Sequence, residues 1–234
     1  MDHQIVSREA WLDARRALLA EEKALTRQRD ALARARRALP RVRVDKPYIF
    51  DGEAGSVSIA DLFGGCGQLV IYHFMFGPDW EEGCKSCSFW ADGFERIVVH
   101  LNQRDVSFAM VARAPLAKLL AFRRRMGWTL PWVSSLGNDF NRDFNVSFTP
   151  DEIERETAFY NFTTGRFPVE EAPGMSVFLK DADGAVFHTY SCYARGLDML
   201  NPAYHVLDLV PKGRDEDELP YTMAWVRHHD RYGG

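Results

Sequence analysis

The chain has 234 residues, 46% of them apolar, and a net charge of −4 at neutral pH. That length suits one large domain or a domain with an appendage, and the apolar content supplies a sizeable core. So small a net charge gives no global case for nucleic acid or an anionic membrane as partner. No apolar run approaches the roughly 18 residues a bilayer span needs, and the polar start MDHQIVSREAW shows no secretory signal, so a cytoplasmic protein is expected.

From Ser7 to about Leu39 the sequence reads as a charged helix, the main part of an N-terminal helical extension over residues 1–46. Trp11, Leu18, Leu25, Leu32 and Leu39 recur at seven-residue intervals, but the companion seam holds Glu21 or Glu22, Gln28 and Ala35 where a full coiled coil would be apolar. One narrow stripe results. It leaves open self-association as a homo-oligomer through this helix, docking on the acidic remainder of the chain, or a solvated face with one packed edge. Up to Lys46 the segment carries 12 Lys and Arg against 7 Asp and Glu. Its basic run ARARRALPRVR has no interleaved aromatics to stack on bases, so nucleic-acid binding is not expected.

Residues 47–234 read as one domain. Pro47 to Phe50 and Ser56 to Ile59 form two short strands, followed by DLFGGCG, in which Cys66 occupies a Gly-rich turn. Gln68 to Phe76 is apolar or aromatic almost throughout, the pattern of a strand buried on both faces. Gly77-Pro78 stops it. After an acidic loop come Cys84 and Cys87, a C-x-x-C. A segment from Ser88 to Leu101 follows, with Phe89, Trp90, Phe94, Ile97, Val98 and Leu101 at helical spacing.

Two thiols at a helix start have chemical consequences. The free N–H groups and dipole of a helix N-terminus favour the thiolate, the form that attacks disulfides or peroxides. Cys84 is the better placed, and Cys87, about one turn on, is close enough to resolve a mixed disulfide. Asp79, Glu81 and Glu82 oppose ionisation of Cys84, whereas Lys85 supports it. A zinc site is disfavoured, because Cys66 and Cys192 stand alone and His73 and His100 lie within or beyond core elements.

Val106 to Arg113 is a second buried strand, and Pro115 begins a helix that runs to Gly127. Strand, helix, strand makes a parallel crossover, which puts the thiols at the carboxyl edge of a sheet. The aromatic segment from Trp128 to Phe148 reads as cover for the sheet, with a wall of the site as the alternative. Thr149-Pro150-Asp151-Glu152 is a capping box that opens a short helix. MSVFLKD and AVFHTYS, joined at Ala182-Asp183-Gly184, form a hairpin, and a helix is expected near Leu197 to Tyr204. In the last segment, MAWVRHHDRY, His228 and His229 point to different sides of a helix or strand, which weakens a metal reading.

This order of elements resembles the thioredoxin superfamily, and VSIADLFGGCGQLVIYHFMF is similar to the entry of its peroxiredoxin-like branch. YHFMFGPDWEEGCKSCSFWAD, RAPLAKLLAFRRRMGW, PGMSVFLKDADGAVFHTYS, YARGLDMLNPAY and DLVPKGRDEDELPYTMAWVRHHDRY more closely resemble the family catalogued as Domain of Unknown Function 899, described as predicted dithiol-disulfide oxidoreductases. The resemblance runs over almost the whole chain. It implies an α/β fold, a thioredoxin-like mixed sheet flanked by helices with the N-terminal helical extension in front, with Cys84 as attacking and Cys87 as resolving thiol.

Departures from better-known relatives are informative. Gly83 stands where thioredoxins have an aromatic, Lys85-Ser86 fill the motif in place of Gly-Pro, and Glu81 holds the place of the peroxiredoxin Thr or Ser. Met175 falls where the superfamily has its cis-proline, with Pro173 two residues early, so Gly174, Met175 and Ser176 are expected to face Cys84 and, with Trp80, to meet substrate. The function expected is thiol–disulfide exchange on a disulfide-containing protein or a small-molecule thiol substrate, with an external dithiol reductant, no cofactor and no metal. The alternatives are a thiol peroxidase, or a non-catalytic module that docks partners on Trp80, Trp90, Trp128 and Trp132.

Overall fold

The computed structural model describes residues 4–233. The first three residues of the expected extension and the last of the expected domain lie outside these. Two compact units part between Pro40 and Arg41. In the first, α1 (Arg8–Arg37) is capped by the Ser7 hydroxyl, which accepts from the Ala10 N–H, with Glu9 in its first turn and Arg34, Arg36 and Arg37 in its last. Both ends thus carry the charge that complements the helix dipole. No residue of α1 is buried; Leu18, Leu25, Leu32 and Leu39 are each about half exposed.

The second unit begins ahead of the 46/47 boundary read from sequence. The reason is β1 (Val42–Arg43), which pairs antiparallel at the sheet edge, followed by a hydrogen bond from the Val44 N–H to the Val186 carbonyl. Then come β2 (Ile49–Gly52), β3 (Gly55–Ser58), β4 (Gln68–His73), α2 (Lys85–Phe94), α3 (Val98–Asn102), β5 (Val106–Ala112) and α4 (Leu116–Arg125). β6 (Trp132–Ser134), α5 (Phe140–Asp143), α6 (Pro150–Glu154), the small hairpin β7 (Ala158–Tyr160) and β8 (Thr163–Gly165), β9 (Gly174–Lys180), β10 (Val186–Tyr193) and α7 (Pro202–Leu207) complete it.

The main sheet has the order β1-β10-β9-β4-β5-β6-β2-β3. β4, β5 and β6 are parallel, β9 runs antiparallel beside β4, and β10 runs antiparallel beside β9. The centre, β10-β9-β4-β5 with α2 crossing from β4 to β5, is thioredoxin-like. The single helix read over Ser88 to Leu101 is broken into α2 and α3 by a turn at residues 95–97, and Trp128 to Phe148 does more than cover the sheet, since β6 is one of its strands. Among the described residues no helix is long and apolar enough to cross a membrane.

β4 explains the layering. Its alternate side chains go to opposite faces: Tyr72, with Phe74 beyond it, joins a core of α2 and α4 residues, including Cys87, Trp90, Phe94, Leu119 and Phe122. Leu69 and Ile71 join a second core with Phe50, Phe63, Phe140 and Phe178. Both faces are covered, which is why the strand reads as a continuous apolar run.

Candidate active site

The loop from β4 to α2 is tied down at both ends. The Cys84 N–H donates to the Met75 carbonyl at 3.0 Å, and the Lys118 ammonium on α4 donates to the carbonyls of Pro78 and Trp80 at 2.8 and 2.9 Å. Gly83 is required by space: a Cβ there would come within 2.6 Å of Phe74 and 2.7 Å of Phe122. An aromatic before the motif, as in thioredoxins, has no room.

Cys84, a partly buried residue, is the N-cap of α2, and its sulfur accepts from the Cys87 N–H at 3.5 Å. Cys87 is 1% exposed, and the Met75 N–H points at its sulfur, also at 3.5 Å. The two thiols are therefore electrostatically unequal. Cys84 is held down to about 7 by the Cys87 thiol donating to it, against burial, with the Cys87 and Ser86 N–H groups adding to the effect. Cys87 is pushed well up by burial and then by the adjacent Cys84 sulfur. Lys85, expected to support the thiolate, turns instead to the Ala224 carbonyl and the Tyr221 ring.

Three strands complete the thiol side. Tyr72 packs in the same core as Cys87, and its phenol is pushed up chiefly by burial. Met175 lies opposite both Tyr72 and Cys192 in register and packs in the same core as Cys87. Trp80 packs at the edge of that core, half-buried.

Two sequence expectations are corrected here. Ser176 does not face Cys84: alternation along β9 sends its side chain to the opposite face, where its fully buried hydroxyl lies 2.8 Å from both His73 Nε2 and Ser191 Oγ. Gly174 likewise presents its Cα to Tyr193 and Val146, so of the three residues only Met175 lies on the thiol side. Trp90, Trp128 and Trp132 are 6%, 6% and 2% exposed, which makes them core and removes them as a docking surface. The described residues contain no cis peptide bond.

The sequence reading missed the C-terminal segment. His228, 4% exposed, lies 2.8 Å through Nε2 from the Gly83 carbonyl and stacks edge-on against Phe122. A carbonyl only accepts, so Nε2 carries the proton, and Nδ1 is left to accept from Arg125 at 3.4 Å. Arg125 also pairs with Glu82 and Asp230 at 2.8 Å each, and Arg231 pairs with Glu82. His229 goes elsewhere, to Asp92 at 2.7 Å. The density of charge and aromatics in MAWVRHHDRY was the available signal. No group of three or more His, Cys, Asp or Glu able to hold a metal occurs among the described residues.

Comparison with solved structures finds loose likenesses. Peroxidoxin BcpB from Mycobacterium tuberculosis is 13% identical, with a TM-score of 0.47 over 69% of this chain and 93% of that one. Peroxiredoxin Q from Xanthomonas campestris, in the structure labelled F4, is 14% identical, with a TM-score of 0.46 over 72% and 96%. The mitochondrial 2-cys peroxiredoxin from Plasmodium falciparum is 10% identical, with a TM-score of 0.41 over 71% and 92%. No curated protein matches the chain. A family model does match, over residues 1–232, and its description is a bacterial protein of unknown function, DUF899. With the match spanning nearly every residue, the chain belongs to the DUF899 family.

Proposed function

We propose that the protein is a thiol–disulfide oxidoreductase that works through Cys84 and Cys87. The observation that carries this reading is the inequality of the pair: a partly exposed cysteine at a helix N-cap, whose sulfur accepts from the Cys87 N–H, beside a cysteine sealed in the core, with the first thiol held down to about 7 and the second pushed well up. A thiol with a pKa near ambient pH is close to the optimum for attack on a disulfide.

In the first step the Cys84 thiolate bonds to one sulfur of the substrate, and the other half leaves as a thiolate. The negative charge on Cys84 disappears. That charge is one of the causes that raise Cys87, so its loss leaves burial as the chief obstacle to ionisation. Cys87 then attacks the Cys84 sulfur, its proton goes to the departing thiolate, and a Cys84–Cys87 disulfide remains. The substrate gains two electrons and the protein loses them. An external dithiol returns the pair to its reduced form.

The test is turnover of a small neutral disulfide by the reduced protein. Cys84→Ser should abolish it, and Cys87→Ser should accumulate a mixed disulfide visible by intact mass. Full turnover in the Cys84 variant would remove the proposal, and rapid consumption of hydroperoxide without disulfide reduction would replace it with a peroxidase.

A further inference from the structure

Where the C-terminal segment meets the start of α2 there is a cavity of about 360 Å³. Gly83 and Lys85, the neighbours of Cys84 in sequence, both line it, together with Glu82, Arg227, His228 and Arg231. That volume is at the small end of ligand sites, roughly 300–1,000 Å³. It suits the arm of a small molecule better than the surface of a folded protein.

Its charge is one-sided. The lining carboxylate, Glu82, is already held by Arg125 and Arg231. Lys85 and Arg227 have no carboxylate partner among the described residues. Both donate to neutral carbonyls and share that of Ala224, Lys85 Nζ at 3.5 Å and Arg227 Nη1 at 2.9 Å, with Arg227 Nη1 also donating to the Val226 carbonyl at 2.9 Å. Two cations thus converge on a single carbonyl beside an open space, where a carboxylate would accept from both more strongly. Arg125, Arg214 and Arg231, by contrast, are each paired with carboxylates. Tyr221, 59% exposed with its ring 5.9 Å from Lys85, adds an aromatic edge against which an organic arm can lie.

We propose that this cavity binds the carboxylate-bearing arm of a small disulfide, with Lys85 and Arg227 holding the carboxylate while Cys84 attacks the nearer sulfur. The inference rests on the exchange reaction proposed above and names its substrate class. The electron and proton balance is the one already given: one half leaves as a thiolate, Cys87 displaces the other, and an external dithiol restores the pair.

Two measurements on the full-length reduced protein separate the binding claim from the chemistry. The first is alkylation of Cys84 by iodoacetate and by iodoacetamide, followed on the Cys84 peptide. Each reagent forms an S–C bond and releases iodide. An isolated thiolate favours the neutral reagent because like charges repel, so faster reaction with iodoacetate is the expected signature of the site. In the double variant Lys85→Gln, Arg227→Gln the ratio of the two rates should fall by roughly tenfold, as for the loss of a hydrogen bond to a charged group. Using the ratio cancels any change in thiol reactivity common to both reagents.

The second is a comparison of kcat/KM for dithiodipropionate, hydroxyethyl disulfide and cystamine, which have similar arms and differ in charge. The expected order is anionic, neutral, cationic, with the spread collapsing in the double variant. A preference for iodoacetamide in the native protein, or ratios that the double variant leaves unchanged, would overturn the proposal. Anion-favoured alkylation with none of the disulfides reduced would overturn the exchange reaction and its substrate, and leave only a carboxylate site.

Discussion

His228 donates through Nε2 to the carbonyl of Gly83 at 2.8 Å, joining residues 145 apart in the chain. The bond fixes the peptide immediately ahead of the Cys84 N-cap, and its ring is packed against Phe122. Replacing His228 by Ala leaves a buried carbonyl unpaired and opens a gap, at a cost on the order of 1–3 kcal/mol. Denaturant midpoints will measure it. The titration of Cys84 should be unchanged, because the groups that lower it are in the first turn of α2. A large shift in that titration would mean that His228 acts on the sulfur as well as on the loop.

The Cys84 thiol depends first on Cys87. In Cys87→Ala the donating S–H is lost, the thiolate loses stabilisation, and the midpoint must rise from about 7 toward the ordinary 9.0. The pH dependence of the iodoacetamide rate reads this directly. A midpoint that stays near 7 would assign the effect to the helix terminus instead.

Ser176 is placed by the structure on the far side of the sheet. Ser176→Ala removes hydrogen bonds to His73 and Ser191, so a stability loss on the order of 1–3 kcal/mol is expected. Disulfide turnover per folded molecule should be retained. Met175→Ala, on the thiol side, is the contrasting variant, in which turnover should fall. The reverse pattern would restore Ser176 to the site.

His73 makes stability sensitive to acid. Burial pushes its imidazole from 6.5 down to about 3 in the folded chain. Between those values the unfolded chain holds a proton that the folded chain does not. The contribution is therefore complete above pH 6.5 and shrinks as pH falls toward 3, by up to about 1.4 kcal/mol per unit. His188, close by and also lowered by burial, acts in the same direction. Comparing the unfolding free energy of His73→Gln with the native protein across this range isolates the His73 part; parallel profiles would argue against it.

Local signals carried much of this architecture. The continuous apolar run of Gln68 to Phe76, the helical spacing after Cys87, and the turn at Asp181 to Ala185, where Gly184 has φ +84° and the Asp181 carboxylate accepts from the Asp183 and Ala185 N–H groups, are each decided within a few residues. So is the Thr149–Glu152 capping box. The position of Ser176 turned on strand parity, and counting from a family alignment that is loose by a residue or two reverses the face. β1 and β6 are too short to announce themselves, and they exist because a neighbouring edge accepts them. His228 was visible as a residue, but its partner is 145 positions away, and no periodicity encodes that meeting.

β4 holds a phenol and an imidazole on consecutive residues, Tyr72 toward the sulfurs and His73 toward the opposite layer. Slipping this strand by a single position would exchange them, setting a basic ring against Cys87 and stranding a hydroxyl among Phe140 and Phe144. An insertion or deletion within Gln68–His73 would thus change the electrical surroundings of the dithiol as well as the packing. The surroundings of the two sulfurs are in that sense encoded by counting, along a strand that carries neither cysteine.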